Sequence, residues 1–243
     1  NPMTAKFEAQ KITTNKKKHS VRSVGDISCE DISLPSSYIT AIEILFQPLQ
    51  LPRQAINYAF IGTSFIANNN NCSLFITALH NKRLMLHTEK LGSFKSDDMI
   101  EEFRYDICAK TIDCSENLPN IPASKTIPKN ESKVLFCGYP GNSDSTTLKC
   151  IWGIIRDYDE TSKCFFVEGK NATGMSGGPV LFQDDHGEWK AFAVISARLN
   201  SNVAKQDIVS NSENLKNRFD CIKSRFDDPD NCMIAVSLTA LEI

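Results

Sequence analysis

"GMSGGPV", residues 174–180, places Ser176 among Gly174, Gly177 and Gly178, just ahead of Pro179. The chain then turns at once to the apolar run "PVLF". Ser-Gly-Gly-Pro is ordinary punctuation before a strand, so a tight turn accounts for it. A second reading gives the glycines a purpose: they let the backbone expose a hydroxyl and aim bare amides at a developing negative charge. The rest of the chain decides between the two.

A chain of 243 residues has room for one large all-β domain or for two small ones sharing a face. At this length roughly 70–75% of the unfolded surface is buried on folding, so no staples are needed. The 27 Lys+Arg against 29 Asp+Glu leave no excess of charge to bind nucleic acid or anionic lipid. No apolar run approaches the ~20 residues of a membrane span, and no signal-peptide core is visible. The nine cysteines are Cys29, Cys72, Cys108, Cys114, Cys137, Cys150, Cys164, Cys221 and Cys232. An odd count without a secretory signal suits reduced, mostly buried thiols better than a disulfide framework. Cys221 and Cys232 could pair in an oxidising compartment. The expected setting is the cytoplasm or another reducing compartment, which includes a bacterial protein delivered to a host cell. Cys-x-x-Cys pairs are absent and the four histidines are scattered, so neither a metal site nor a cofactor is expected.

Residues 1–35 are polar and mixed in charge, with "NKKKHS" at 15–20, and read as a solvated tail. From Ser36 short apolar stretches alternate with turns: "YITAIEILF", "YAFIGTSFIA", "SLFITALH" and "RLMLH". Each is strand-length and rich in β-branched or aromatic residues, and none sustains helical periodicity. "NNNN" at 68–71 reads as a hairpin turn. After a loop with Pro119, Pro122 and Pro128 comes a second series: "KVLFCGYPG", "TLKCIWGIIRDY", "KCFFVEG", "GGPVLF", "WKAFAVISARL" and "CMIAVSL". Two sets of about six short strands predict an all-β chain of two six-stranded antiparallel barrels, residues 36–132 and 133–243. A polar excursion at about 200–230, with a helical candidate at 211–226, interrupts the second.

Acyl transfer by a serine needs a base within hydrogen-bond reach and a carboxylate to hold that base's tautomer. "FITALH" delivers His80 to the end of an apolar strand, and "FRYDICAKTI" places Asp106 at the head of an alternating one. Taken alone, either is an edge histidine or a solvated loop acid. In the order His80, Asp106, Ser176 they resemble the trypsin-like, chymotrypsin-fold serine peptidases. "TALH" matches that family's Thr-Ala-x-His, "YDICAK" its Asp-Ile-Ala-Leu, and "GMSGGP" its Gly-x-Ser-Gly-Gly-Pro. "GTSFIA" and "CGYPG" are similar to segments of the compact bacterial members, and the spacing suits these better than the longer animal digestive enzymes.

The resemblance covers about residues 36–243 outside the excursion. It implies a serine endopeptidase acting on protein or peptide, with both barrels bordering the active cleft. Ser176 is then the nucleophile, His80 the base, Asp106 its orienter, and the amides of Gly174 and Ser176 the oxyanion hole. Lys170 and Asn171 would border the primary pocket, and Ser196, Ala197 and Arg198 would run beside the substrate backbone as an added strand. A cation reaching that pocket from Lys170 or Arg198 would favour an acidic or amide side chain before the scissile bond, and both cations pointing to solvent would not. Two departures matter. Met175 stands where many secreted members carry an aspartate that pairs with a newly cut N-terminus, so activation by such insertion is not expected. Asn81 follows His80 where animal members place a disulfide cysteine. The competing function is a catalytically silent scaffold of this fold, binding a protein partner through its groove or through 200–230. Trp152 reads as core and Trp189 as strand edge, while His19, His87 and His186 have no partner at ligand spacing.

Overall fold

The computed structural model describes residues 34, 37–46, 57–69, 72–102, 105–113, 117–141, 147–169, 173–199 and 229–241, and for 41–46, 57–61 and 229 the backbone alone. The tail apart from Leu34, Lys170, Asn171, and 200–228 with the helical candidate lie outside these. All regular elements among the described residues are strands and short 3₁₀ turns. No helix among them is long and apolar enough to cross a membrane.

The first half supplies β1 (Ile39–Phe46), β2 (Asn57–Asn69), β3 (Cys72–Thr77), β4 (Met85–Thr88), β5 (Gly92–Lys95), β6 (Ile100–Glu102), β7 (Ile107–Ile112) and β8 (Ile121–Pro122). They form one sheet in the order β5-β4-β1-β2-β3-β7-β6, with β8 parallel to β2. The β2–β3 hairpin has Asn69 paired with Cys72 as its last pair, at the point in the chain where the sequence predicts a hairpin. The recorded path is open at β5 and β6 among the described residues, where the sequence predicts a closed six-stranded barrel. Six strand-to-strand steps would hold the edges of a flat sheet ~29 Å apart. Lys95 and Ile100 are neighbours across a single 3₁₀ turn, and that connection reaches at most ~18 Å. The sheet therefore curls back on itself.

The second half supplies β9 (Lys133–Gly138), β10 (Lys149–Asp159), β11 (Cys164–Glu168), β12 (Pro179–Gln183), β13 (Trp189–Arg198) and β14 (Cys232–Ser237). These close into a six-stranded antiparallel barrel, β10-β11-β14-β13-β12-β9. Its filling is aromatic and β-branched: Phe136, Phe165, Val167, Phe192 and Ile195 are all fully buried, with Phe165 edge-on to Phe192 at 4.9 Å. Phe65, Ile66, Phe75, Ile76 and Ile107 do the same for the first sheet. The connection between the two sheets lies along β13, where Ala123 bridges Ala191 and the Ser124 amide donates to Ala191 C=O at 2.7 Å.

Cys72, Cys108, Cys137, Cys164 and Cys232 are free thiols, so Cys232 is not paired with Cys221. Burial pushes the thiols of Cys108 and Cys164 up to about 12 and raises Cys137 and Cys232 as well, which makes them inert filling. Cys150 departs from the all-thiol expectation, being disulfide-bonded. Trp152 and Trp189 are both half-buried and pack on each other, with ring centroids 5.9 Å apart.

Candidate active site

β3 ends at Thr77, which pairs with Cys108 on β7. Continuing that antiparallel register brings the residues just past β3 opposite Asp106, which heads β7. His80 sits there on a single 3₁₀ turn, Leu79–Asn81. The Asp106 carboxylate, buried at 5% exposure, accepts the His80 amide at Oδ1 (2.9 Å) and the His80 Nδ1 proton at Oδ2 (2.7 Å). An acceptor-only group facing Nδ1 forces the proton onto that nitrogen, which leaves Nε2 to accept. Ser176 Oγ lies 3.0 Å from Nε2, placed to donate. Sequence positions 80, 106 and 176 thus meet in one hydrogen-bonded line that crosses from the first sheet to the second.

That line has a further member. Ser196 Oγ donates to Asp106 Oδ2 at 2.5 Å. The β13–β14 pairing skips a residue between Ile195 and Ala197, so Ser196 is a bulge, a device that re-aims one side chain out of the strand's alternation. The sequence reading gives Ser196 a place beside substrate, and in the structure its hydroxyl is committed to the carboxylate. Burial alone would raise the Asp106 pKa. The bonds from His80 and Ser196 and the nearby His80 charge outweigh burial, and the carboxyl sits below its ordinary value.

The nucleophile loop runs from Thr173 to Gly178, before β12. Gly174 has φ 94° and Gly177 φ 88°, backbone that other residues adopt only with strain. A Cβ on Gly177 would lie 2.0 Å from Thr63 C=O, so the first sheet touches the loop through the space that glycine leaves open. Met175 is fully buried in the apolar filling of the second barrel. Among the described residues the Gly174 and Ser176 amides donate to no protein acceptor, whereas all four carbonyls from Thr173 to Ser176 are taken. Ala197 is buried and Arg198 is exposed, with Arg198 Nη2 donating to Thr173 Oγ1 at 3.0 Å. Lys170 and Asn171 lie outside the described residues. Among these, no three or more His, Cys, Asp or Glu residues cluster to hold a metal. His87 is taken up by Ser93 Oγ at 3.0 Å.

Besides the Ser196 hydroxyl, sequence reasoning misses the buried polar residues behind the loop: Thr63, Thr77 and Asn81. "GTSF" and the residue after His80 mark where they lie, but no local signal states what they bond.

No family model matches the chain, and no curated protein matches it in sequence. Among solved structures it is similar to the Rv3671c protease from M. tuberculosis in its active form, at 14% identity and TM-score 0.50, covering 85% of this chain and 78% of that one. The inactive form of the Rv3671c protease matches at 12% identity and TM-score 0.50, covering 85% of this chain and 86% of that one. The serine endoprotease from Yersinia pestis matches at 14% identity and TM-score 0.50, covering 88% of this chain and 63% of that one. The similarity shows the fold: the chain is all-β and has the chymotrypsin-like architecture of these proteases.

Proposed function

We propose that the chain is a serine endopeptidase that cuts peptide bonds through an acyl-enzyme. One observation carries the reading: the unbroken line of hydrogen bonds from Ser196 through Asp106 and His80 to Ser176. Ser176 Oγ attacks the scissile carbonyl while His80 Nε2 takes its proton. The oxyanion that forms is held by the Gly174 and Ser176 amides, where the loss of one donor typically costs ~3–4 kcal/mol of transition-state stabilisation. His80 then protonates the leaving amine, and water repeats the sequence on the acyl-enzyme with the proton moving the same way. Asp106 keeps the imidazole in the Nδ1–H tautomer and stabilises its cation, and Ser196 holds Asp106 in turn.

Met175 supports activity without insertion of a cut N-terminus, since its apolar side chain is already packed where a pairing aspartate would stand. The competing scaffold reading draws no support from the geometry of the three residues, in which His80 lies within hydrogen-bond distance of both Asp106 and Ser176. The test is labelling with a fluorophosphonate probe, followed by mapping of the adduct. A label on Ser176 that is lost in Ser176→Ala and in His80→Ala is expected. A folded wild-type protein that takes no label would sink the reading and leave the groove as a binding surface.

A further inference from the structure

The two amides assigned to the oxyanion belong to peptides flanked by glycine, the residue least able to hold a peptide plane by itself. A trans peptide is planar with its C=O and N–H opposed, so fixing a carbonyl fixes the direction of the next amide. The Thr173 carbonyl is held by the Gly141 amide at 2.6 Å, which directs the Gly174 N–H the other way. The Met175 carbonyl accepts from the Gly178 amide at 3.0 Å, which does the same for the Ser176 N–H. Between and after these peptides stand two more, and both are gripped by one residue of the first sheet. Thr63 Oγ1 donates to Gly174 C=O at 2.9 Å, and the Thr63 amide donates to Ser176 C=O at 2.9 Å. Asn81 Nδ2 adds a second donor on Ser176 C=O, also at 2.9 Å.

The Thr63 hydroxyl does one thing more. It accepts the Tyr139 amide at 2.9 Å, two residues from the Gly141 amide that holds Thr173. One buried oxygen therefore ties the nucleophile loop to the segment that clamps that loop's far end. Thr63 is itself held from behind: Thr77 Oγ1 donates to its carbonyl at 2.8 Å and accepts from Asn81 Nδ2 at 3.2 Å. Thr63, Thr77 and Asn81 are all at most 2% exposed, so water does not stand in for a lost bond there.

We propose that Thr63 is a positioning residue whose hydroxyl presets the oxyanion hole from the first sheet, before substrate arrives. The proposal rests on the hydrolase reading above and assigns the loop's order to a residue outside the catalytic line. Among the described residues the hydrogen bonds of Thr63 go to Gly174, Ser176, Tyr139 and Thr77 and not to His80 or Asp106, so its loss acts on the hole and leaves the base alone.

The test uses p-nitrophenyl acetate hydrolysis and inhibition by phenylboronic acid, whose tetrahedral adduct places an oxygen in the hole. Thr63→Val keeps the shape and removes the hydroxyl. It is expected to lower kcat about 10²-fold, the scale of a misplaced catalytic geometry. It should weaken phenylboronic acid by the same factor, with KM and the pH midpoint of kcat unchanged. Thr63→Ser, which keeps the hydroxyl, should restore both. If Thr63→Val fails to melt cooperatively, Thr63→Ser against Thr63→Ala carries the same comparison, since these differ by the oxygen alone. Wild-type kcat and boronate affinity in Thr63→Val would overturn the proposal, as would a fall in kcat with boronate affinity unmoved or with a shifted pH midpoint. A wild-type protein inert to both the ester and a fluorophosphonate overturns the hydrolase reading and this inference together. An active wild type with an indifferent Thr63 overturns this inference alone.

Discussion

Replacing Asp106 by asparagine turns one acceptor oxygen into an NH₂ donor and removes the charge, with almost no change of shape. All three partners of the carboxylate are donors: the His80 amide, the His80 Nδ1 proton and the Ser196 hydroxyl. A carboxamide can meet them in two orientations. With its oxygen toward Nδ1, its NH₂ faces the His80 backbone N–H, and a buried donor left unsatisfied costs about 1–3 kcal/mol. With its oxygen toward the backbone, its NH₂ faces Nδ1 and Ser196 Oγ. The serine hydroxyl can rotate to accept, and the imidazole can comply by moving its proton to Nε2. The second orientation leaves only the Ser196 proton without its acceptor, against both the NH₂ and the His80 N–H in the first, so it wins by about that margin. It also disables the base, because Nε2 then carries a proton toward Ser176 Oγ. The expected loss in kcat is ~10⁴, the value typical of this change in a Ser–His–Asp triad. At 1.36 kcal/mol per decade that is about 5.5 kcal/mol of barrier. The assay is ester hydrolysis at neutral pH alongside a thermal melt, with fluorophosphonate labelling rates as a second readout. The melting temperature should fall only modestly at neutral pH, since the charge-assisted hydrogen bonds of the carboxylate are replaced by weaker neutral ones. A variant that keeps near wild-type rates with the same melt would refute the orienting role of Asp106.

Acid should act through the same carboxyl. Its pKa in the folded protein lies below the ordinary 3.8, so the unfolded chain binds the proton first. Its contribution to stability is present above 3.8 and is lost as pH falls through the lower folded value. Melts of wild type and Asp106→Asn from neutral pH downward should therefore converge or cross in acid, and parallel curves would exclude a stabilising ionised Asp106. Gly177→Ala combines φ 88° with a Cβ 2.0 Å from Thr63 C=O and 2.3 Å from Thr77 Oγ1. Left-handed strain of ~1–2 kcal/mol alone lowers the melting temperature by about 2–8 °C in a chain this long, and the overlap with backbone adds to it. An alanine variant with wild-type melting and hydrolysis would show that the loop sits elsewhere.

What the sequence by itself determines here is local. Alternating β-branched and aromatic runs state strands because side chains in a strand change face at every residue. Glycines around Ser176 state an exposed loop because only they tolerate its dihedral angles, and a histidine closing an apolar strand or an aspartate opening one states an edge position. From these the all-β class, the order His80, Asp106, Ser176 and the second barrel's strands are legible. The tertiary structure decides what meets across distance. The Ser196 hydroxyl reaches Asp106 over 90 residues of chain, and Thr63 reaches Gly174 over 111. Neither serine nor threonine carries a local mark of such a partner, because a buried hydroxyl bonds whatever donor or acceptor the packing brings to it. The bulge that aims Ser196 and the open path of the first sheet are likewise set by register between strands, which depends on pairs of segments at once. Chemistry carried by one residue can be read along the chain, while chemistry held in place by a neighbour exists only after folding has chosen that neighbour.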